Sequence, residues 1–265
     1  KKIDPALYFC RDEGIIRGEK IENPKYVKGG GSRLAFGPLL NATEETKDYN
    51  TAKWFEAKLQ EDYDKPFFMA VGISKPHLPF HAPKEFFDMH PIEDVVVPEF
   101  RMDDLNDILN ERGDAAFKPH VDFLWCQEYG VMKEAVQAYL ATVSYADACV
   151  GVVLDALANS QYADNTIVVI WGDHGWHLGE KLKFRKASLW REATQLPLII
   201  QTPDMQNGQY CTRNVNLIDL YPTLVDLCGL PEKELDGTSI KQLLDNPTLE
   251  WLSLIHISEP TRPAI

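Results

Sequence analysis

The segment 172–180 places a carboxylate beside an imidazole at the point where an apolar run ends. Asp173 and His174 are adjacent, with Gly172 and Gly175 on either side. Glycines let the backbone turn sharply and approach a ligand, and a carboxylate with an imidazole suits a divalent cation. From spacing alone a metal site is one interpretation; a turn capped by Asp173, with His174 hydrogen-bonded locally, is the other.

The loop that follows is basic. Lys181, Lys183, Arg185 and Lys186 lie close together in a chain whose net charge is −13. If the substrate of such a chain is an anion, it must bind at a local patch of positive charge, and this loop is a candidate for that patch. A solvated surface run accounts for the same charges.

A third candidate group is His77, which stands between Pro76 and Pro79. The prolines fix the backbone on both sides, so the imidazole could be held ready as a general acid or as an anion ligand. A structural or merely exposed loop histidine is the alternative.

The elements that must position these groups alternate between helix and strand. Hydrophobic periodicity and turn residues predict helices at 43–63, 125–159 and 219–227 and strands at 66–72, 167–171 and 196–200. Residues 1–42 are predicted to be an irregular surface segment. The order favours an α/β sandwich around a mainly parallel sheet. In such sheets ligands bind beyond the carboxyl ends of the strands, where loops 74–81 and 172–188 are expected.

Composition excludes several classes of function. The charge argues against a nucleic-acid partner and against binding to an anionic membrane. No apolar run reaches the roughly 18 residues of a membrane span. The five cysteines are odd in number and lack C-x-x-C spacing, so neither a disulfide framework nor a zinc site is indicated. The chain opens with Lys1 and no Met, so we expect the native N-terminus to lie outside it.

The end of the chain is expected to be foreign. Residues 252–265 resemble the translation of a common sequencing adapter. We therefore divide the chain into residues 1–251, part of one catalytic domain, and residues 252–265, a non-native tail.

Several linked motifs resemble the sulfatases of the alkaline-phosphatase superfamily, in particular their iduronate-2-sulfatase-like branch. The segments that carry the likeness are 172–180 with Lys186, 194–199, 75–80 with 83–86, 139–147 and 216–224. The resemblance runs from about residue 50 to about residue 245. It implies an alkaline-phosphatase-like sandwich whose N-terminal strands lie outside this chain, and hydrolysis of the sulfate ester of a sugar or glycan. It also implies a periplasmic, extracellular or lysosomal location.

The resemblance assigns roles residue by residue. Asp173 and His174 would bind the divalent cation, which is calcium in this family, although Ca²⁺ prefers oxygen ligands to imidazole. Lys186 would contact the sulfate and neutralise charge as the ester bond breaks. His77 would contact the sulfate or protonate the leaving alcohol, and Lys75 would help to bind the substrate.

The family nucleophile is a formylglycine made from the Cys, or sometimes the Ser, of C-x-P/A-x-R. None of the five cysteines has this context. The string from Ser258 to Arg262 fits the Ser form, but it lies in the adapter-like tail, after the other motifs instead of before them, and is rejected. We therefore expect the formylglycine and an Asp pair of the metal site upstream of Lys1. The chain alone is expected to be inactive, with exposed sheet edges that favour aggregation.

Two other functions stay open. One is a phosphodiesterase or phosphonate monoester hydrolase of the same superfamily, which would also place Asp-His near a strand end. The other is a non-catalytic module that binds sulfated glycans. The resemblance points to a 2-sulfated uronic acid within a glycosaminoglycan, but loops around the pocket decide among sugars. The sequence predicts no oligomeric state.

Overall fold

The structure is a computed structural model that describes residues 25–26, 34–205 and 208–252. It divides into two compact units, Lys1–Asn165 with His174–Gln195, and Thr166–Asp173 with Leu196–Ile265. The adapter-like residues after Leu252, including Ser258–Arg262, lie outside the described residues. Cys10 and most of the segment 1–33 lie outside them too.

The first unit contains a three-stranded sheet formed by β1 (Lys25–Tyr26), β2 (Ala35–Leu39) and β3 (Phe80–Pro83). Strands β2 and β3 are parallel, and β1 pairs antiparallel to β2. The prediction that residues 1–42 are irregular and on the surface is therefore wrong at β2, which is a mostly buried strand. The apolar residues at the start of β2 indicated a strand, but Gly37 and Pro38 within it are residues that strands disfavour.

The described part of the first unit also contains five α-helices: α1 (Lys47–Lys58), α2 (Lys84–Asp88), α3 (Val121–Glu128), α4 (Met132–Ala158) and α5 (Arg191–Thr194). The predicted helix at 43–63 is present as α1, after a short 3₁₀ turn. The single helix predicted over 125–159 is wrong, because two helices meet at Gly130, whose φ is 62°. That left-handed conformation suits glycine and ends α3.

Helix α4 is the centre of the core. Its buried face includes Ala135, Ala138, Tyr145 and Cys149 and packs on α1, α2 and β3. By length and composition α4 could also cross a membrane. That is weak evidence for a span, since the core helix of a soluble protein passes the same test.

The segment 66–72, predicted to be a buried strand, has no regular structure. Phe68 is 79% exposed. No strand among the described residues pairs with this segment. An apolar run by itself does not supply the hydrogen-bond partners that a strand requires.

The second unit pairs β4 (Val168–Trp171) antiparallel to β7 (Leu198–Gln201). Both predicted strands are present. The expectation that 167–171 is buried on both faces is wrong: the strand is half-buried and Trp171 is 48% exposed. In the described residues β4 has one partner strand, so much of its surface is uncovered. Helices α6 (Leu220–Leu227) and α7 (Lys241–Asp245) follow, and α6 confirms the predicted helix at 219–227.

Candidate functional site

The loop that carries His77 is anchored by a buried carboxylate. Asp48 lies on α1 and is 3% exposed. Its two oxygens accept hydrogen bonds from the Ser74 hydroxyl at 2.6 Å and from the Lys75 backbone N–H at 2.9 Å. The Lys75 ammonium in turn donates to the carbonyl of Pro79 at 2.5 Å. These bonds tie the start of the loop to α1 and join the start of the loop to its end.

His77 is held in one tautomer by its own loop. Its Nδ1 lies 2.7 Å from the Leu78 carbonyl oxygen. A carbonyl can only accept, so the proton is on Nδ1, and Nε2 is the atom that can take up or deliver a second proton. The ring lies edge-on to Trp176, with centroids 6.4 Å apart.

Behind this loop lies His81, which sequence analysis did not select. It is 0% exposed. Burial, and then the charge of Lys75, holds the pKa of His81 well below its usual value. His81 is therefore a neutral part of the core. The sequence feature that could have drawn attention to His81 is its position at the end of the loop 74–81.

The second loop places His174 against the same indole. His174 and Trp176 have ring centroids 6.5 Å apart. His174 Nδ1 lies 2.9 Å from the Gly175 carbonyl oxygen, so its proton is also on Nδ1. The Gly175 N–H donates to the Ala193 carbonyl at 2.8 Å. Trp176, which belongs to the segment 172–180, is thus a ring neighbour of both predicted histidines.

The backbone approach at Gly175 requires a glycine. A Cβ built there would lie 2.1 Å from the carbonyl oxygen of Glu192 and 3.2 Å from that of Gln195. Such close contact of two backbone segments leaves no room for a side chain. The segment 192–195 therefore fixes the position of His174 through its neighbour.

Asp173 directly follows β4 and precedes His174 in the chain, and it is exposed. The His174 tautomer leaves the lone pair on Nε2, which is the form that a metal ligand needs, and a backbone carbonyl orients the ring. Among the described residues no group of three or more His, Cys, Asp or Glu could hold a metal ion. Asp173 and His174 each carry a donor atom of a kind that divalent cations accept.

The basic loop forms a small hairpin. Strand β5 (His177–Leu178) pairs antiparallel to β6 (Phe184–Arg185), with His177 opposite Arg185. His177 Nε2 also lies 2.7 Å from the Ser188 hydroxyl. Lys186 follows β6 directly, so the hairpin places it beside the segment that contains Trp176.

The four basic side chains have different partners. Lys181 pairs with Asp104 at 2.8 Å, and Arg185 pairs with Asp122 at 2.7 Å. Lys183 lies over the rings of Phe117 and Trp190, 5.3 and 5.2 Å from their centroids. Within the described part of the chain, Lys186 has no carboxylate partner. Lys183 and Lys186 thus both lack a carboxylate partner among the described residues, but the Lys183 ammonium lies over two aromatic rings and Lys186 has no such ring contact there.

The family model described as Sulfatase matches residues 12–230. A sulfatase of Formosa agariphila is 41% identical over 204 residues, covering 76% of this chain and 40% of that protein. The iduronate 2-sulfatase of Mus musculus is 33% identical, covering 80% of this chain and 46% of that protein. The chain thus spans less than half the length of these relatives.

Two solved structures share the fold. A phosphonate monoester hydrolase from Silicibacter pomeroyi superposes with a TM-score of 0.69 at 21% identity, over 82% of this chain and 45% of that one. BT4656, solved with its substrate D-glucosamine-2-N,6-O-disulfate, superposes with a TM-score of 0.56 at 20% identity, over 86% and 58%. At these identities the likeness concerns the fold, which is alkaline-phosphatase-like.

Proposed function

Because the chain belongs to the sulfatase family, we propose that it forms the part of a sulfatase active site that binds metal and sulfate. The supporting observation is the arrangement around Trp176. The rings of His77 and His174, each in a defined tautomer, neighbour this indole. Lys186, which has no carboxylate partner among the described residues, directly follows the hairpin of β5 and β6. The proposed reaction is hydrolysis of a sulfate ester on a sugar or glycan.

Members of this family generally use a formylglycine nucleophile and a divalent metal. We propose that the carboxylate of Asp173 and Nε2 of His174 contribute two donors to that metal, which we take to be calcium. Since Ca²⁺ favours oxygen, Asp173 is expected to contribute more of the affinity than His174. The Gly175 carbonyl keeps His174 in the ligating tautomer.

Lys186 is proposed to bind a sulfate oxygen and to stabilise the charge that grows as the S–O bond breaks. His77 is proposed to deliver a proton from Nε2 to the leaving alcohol when both ring nitrogens carry protons, and to keep its Nδ1–H on the Leu78 carbonyl throughout. Lys75 already donates to two carbonyls, of Pro79 and His77. We propose that Lys75 also helps to bind the substrate, because these contacts hold its cation within the loop that carries His77.

The test uses the longer protein that carries this chain, with Lys186→Ala and the matched control Lys183→Met. Lys183 is a cation of the same loop, but its ammonium lies on aromatic rings. Sulfate release from sulfated disaccharides is expected to fall roughly 10²- to 10³-fold in Lys186→Ala. Lys183→Met is expected to stay within about threefold, since a general positive potential contributes little at physiological salt.

Phosphonate monoesters are assayed beside the sulfate esters. If the phosphonate is turned over faster than the sulfate ester, the proposed activity becomes hydrolysis of phosphonate monoesters. An enzyme of that activity shares this fold. Glycan binding with turnover of neither ester would instead indicate a non-catalytic module.

A further inference from the structure

The loop that ends at Lys186 has an unusual backbone. Lys181 and Leu182 both have φ of 52°, and Arg185 has φ of 88°. This left-handed region disfavours residues with a Cβ. Such a conformation persists when surrounding contacts hold it.

The first two of these residues are held by neighbouring segments. The Lys181 ammonium pairs with Asp104 at 2.8 Å. The Leu182 side chain is 1% exposed, and its carbonyl accepts a hydrogen bond from the His120 backbone N–H at 2.8 Å. The start of the loop is thus tied to the residue that caps α3.

Arg185 is held by a buried charge. Its Nε donates to Oδ2 of Asp122 at 2.7 Å, and the Asp122 side chain is 0% exposed. Asp122 lies in the first turn of α3, where the helix dipole favours a carboxylate. A buried carboxylate that loses its cation is strongly disfavoured, so this contact resists opening.

His120 does not compete for that carboxylate. Its Nδ1 lies 3.6 Å from Oδ2 of Asp122, but the same Nδ1 accepts the backbone N–H of Asp122 at 3.2 Å. Burial, partly opposed by the nearby Asp122, lowers the pKa of His120. The ring is therefore neutral near pH 7. Arg185 supplies the positive charge that balances Asp122.

We propose that Asp122 is a positioning residue for Lys186. Its carboxylate holds Arg185 in the left-handed conformation, and that conformation directs the next residue, Lys186, towards the sulfate. The inference rests on the proposed function, in which Lys186 binds the sulfate. Asp122 itself touches neither substrate nor metal in this proposal.

The experiment compares wild type with Asp122→Asn, Arg185→Gln, the double variant and the control Asp103→Asn, all in the longer protein that carries this chain. Asp103 is likewise an aspartate paired with an arginine, Arg101, but its side chain is 56% exposed. Hydrogen exchange is followed at the amides of residues 181–188 and, as an internal reference, at those of α4. Steady-state kinetics with a sulfated disaccharide is measured well below the melting temperature of each variant.

In Asp122→Asn we expect amide exchange over 181–188 to accelerate at least about tenfold, while exchange in α4 stays unchanged. We expect kcat to fall roughly 10- to 100-fold with a smaller change in KM, the pattern of a misplaced catalytic group. If Asp122 acts through Arg185, the double variant should be no slower than the worse single variant. Asp103→Asn should match wild type in both measurements.

Unchanged exchange over 181–188 in Asp122→Asn would overturn the proposal, and so would faster exchange with an unaltered kcat. A purely structural role would lower the melting temperature and speed exchange in α4 as well, which also counts against it. If wild type hydrolyses no sulfate ester, the proposed function fails instead. Exchange over 181–188 would still report whether Asp122 holds the loop.

Discussion

Replacing Gly175 by alanine tests the geometry of the site with one added carbon. The new Cβ would lie 2.1 Å from the Glu192 carbonyl oxygen and 3.0 Å from the Glu192 carbonyl carbon. Both are backbone atoms, so no side chain can move aside. Relieving the contact requires the two segments to separate by about 1 Å to reach an ordinary contact distance.

That separation breaks a hydrogen bond. The Gly175 N–H donates to the Ala193 carbonyl at 2.8 Å, and a shift of about 1 Å takes the pair beyond bonding distance. An unsatisfied backbone donor costs about 1–3 kcal/mol, and overpacking costs a further ~1–3 kcal/mol. We expect Gly175→Ala to lose roughly 2–5 kcal/mol of unfolding free energy, near 10 °C in melting temperature.

Gly151→Ala is the matched control. Gly151 lies within α4, and a Cβ there meets nothing within 4 Å. Alanine in a helix interior is favoured over glycine by about 1 kcal/mol, so this variant should be slightly more stable than wild type. The same methyl group therefore has opposite effects at the two sites.

The assay is thermal and urea unfolding followed by circular dichroism. The His174 tautomer is read separately from the ring nitrogen chemical shifts. Because the Gly175 carbonyl accepts from His174 Nδ1, displacement of Gly175 should also shift the tautomer balance. A Gly175→Ala protein within about 1 kcal/mol of wild type, with unchanged ring shifts, would refute the packing argument.

Three further predictions concern acid, metal and the core. Burial lowers the pKa of His81, so the unfolded chain binds a proton below about pH 6.5 that the folded chain excludes; stability against urea should fall from pH 7.5 to pH 5.5, and His81→Gln should reduce that fall by roughly 1 kcal/mol. Calcium should raise the melting temperature of the longer protein, a chelator should reverse this, and Asp173→Asn should abolish it; equal shifts in both proteins would contradict the proposed ligand. Tyr145→Phe removes the buried hydroxyl that bonds Thr46 at 2.5 Å and should cost about 1–3 kcal/mol in urea unfolding. Tyr210→Phe, at a side chain 85% exposed, should stay within about 0.5 kcal/mol of wild type.

Sequence reasoning found most elements but misjudged their surroundings. The apolar runs at 66–72 and 167–171 were both expected to be buried strands. The first is irregular, and the second is a half-buried strand with one partner in the described part of the chain. Hydrophobicity shows that a segment favours burial; whether a partner strand reaches it depends on residues elsewhere.

The break between α3 and α4 was missed because the apolar periodicity continues across it. Gly130 was the signal, and its left-handed backbone ends α3. Strand β2 was missed for the opposite reason, since Gly37 and Pro38 stand where local preference opposes a strand. Its burial against β3 overrides that preference.

The sequence by itself determined the candidate chemistry of this protein. Asp173 and His174 are adjacent by covalent connection, and Lys186 and His77 stand in motifs that resemble one family. The tertiary structure decided how the candidates differ, because burial and pairing depend on groups distant in the chain. It gave Arg185 and Lys181 carboxylate partners and left Lys186 without one among the described residues. It also brought His77 and His174 to the same indole, ninety-odd residues apart in the chain, because α1 and the segment 192–195 fix the two loops that carry them.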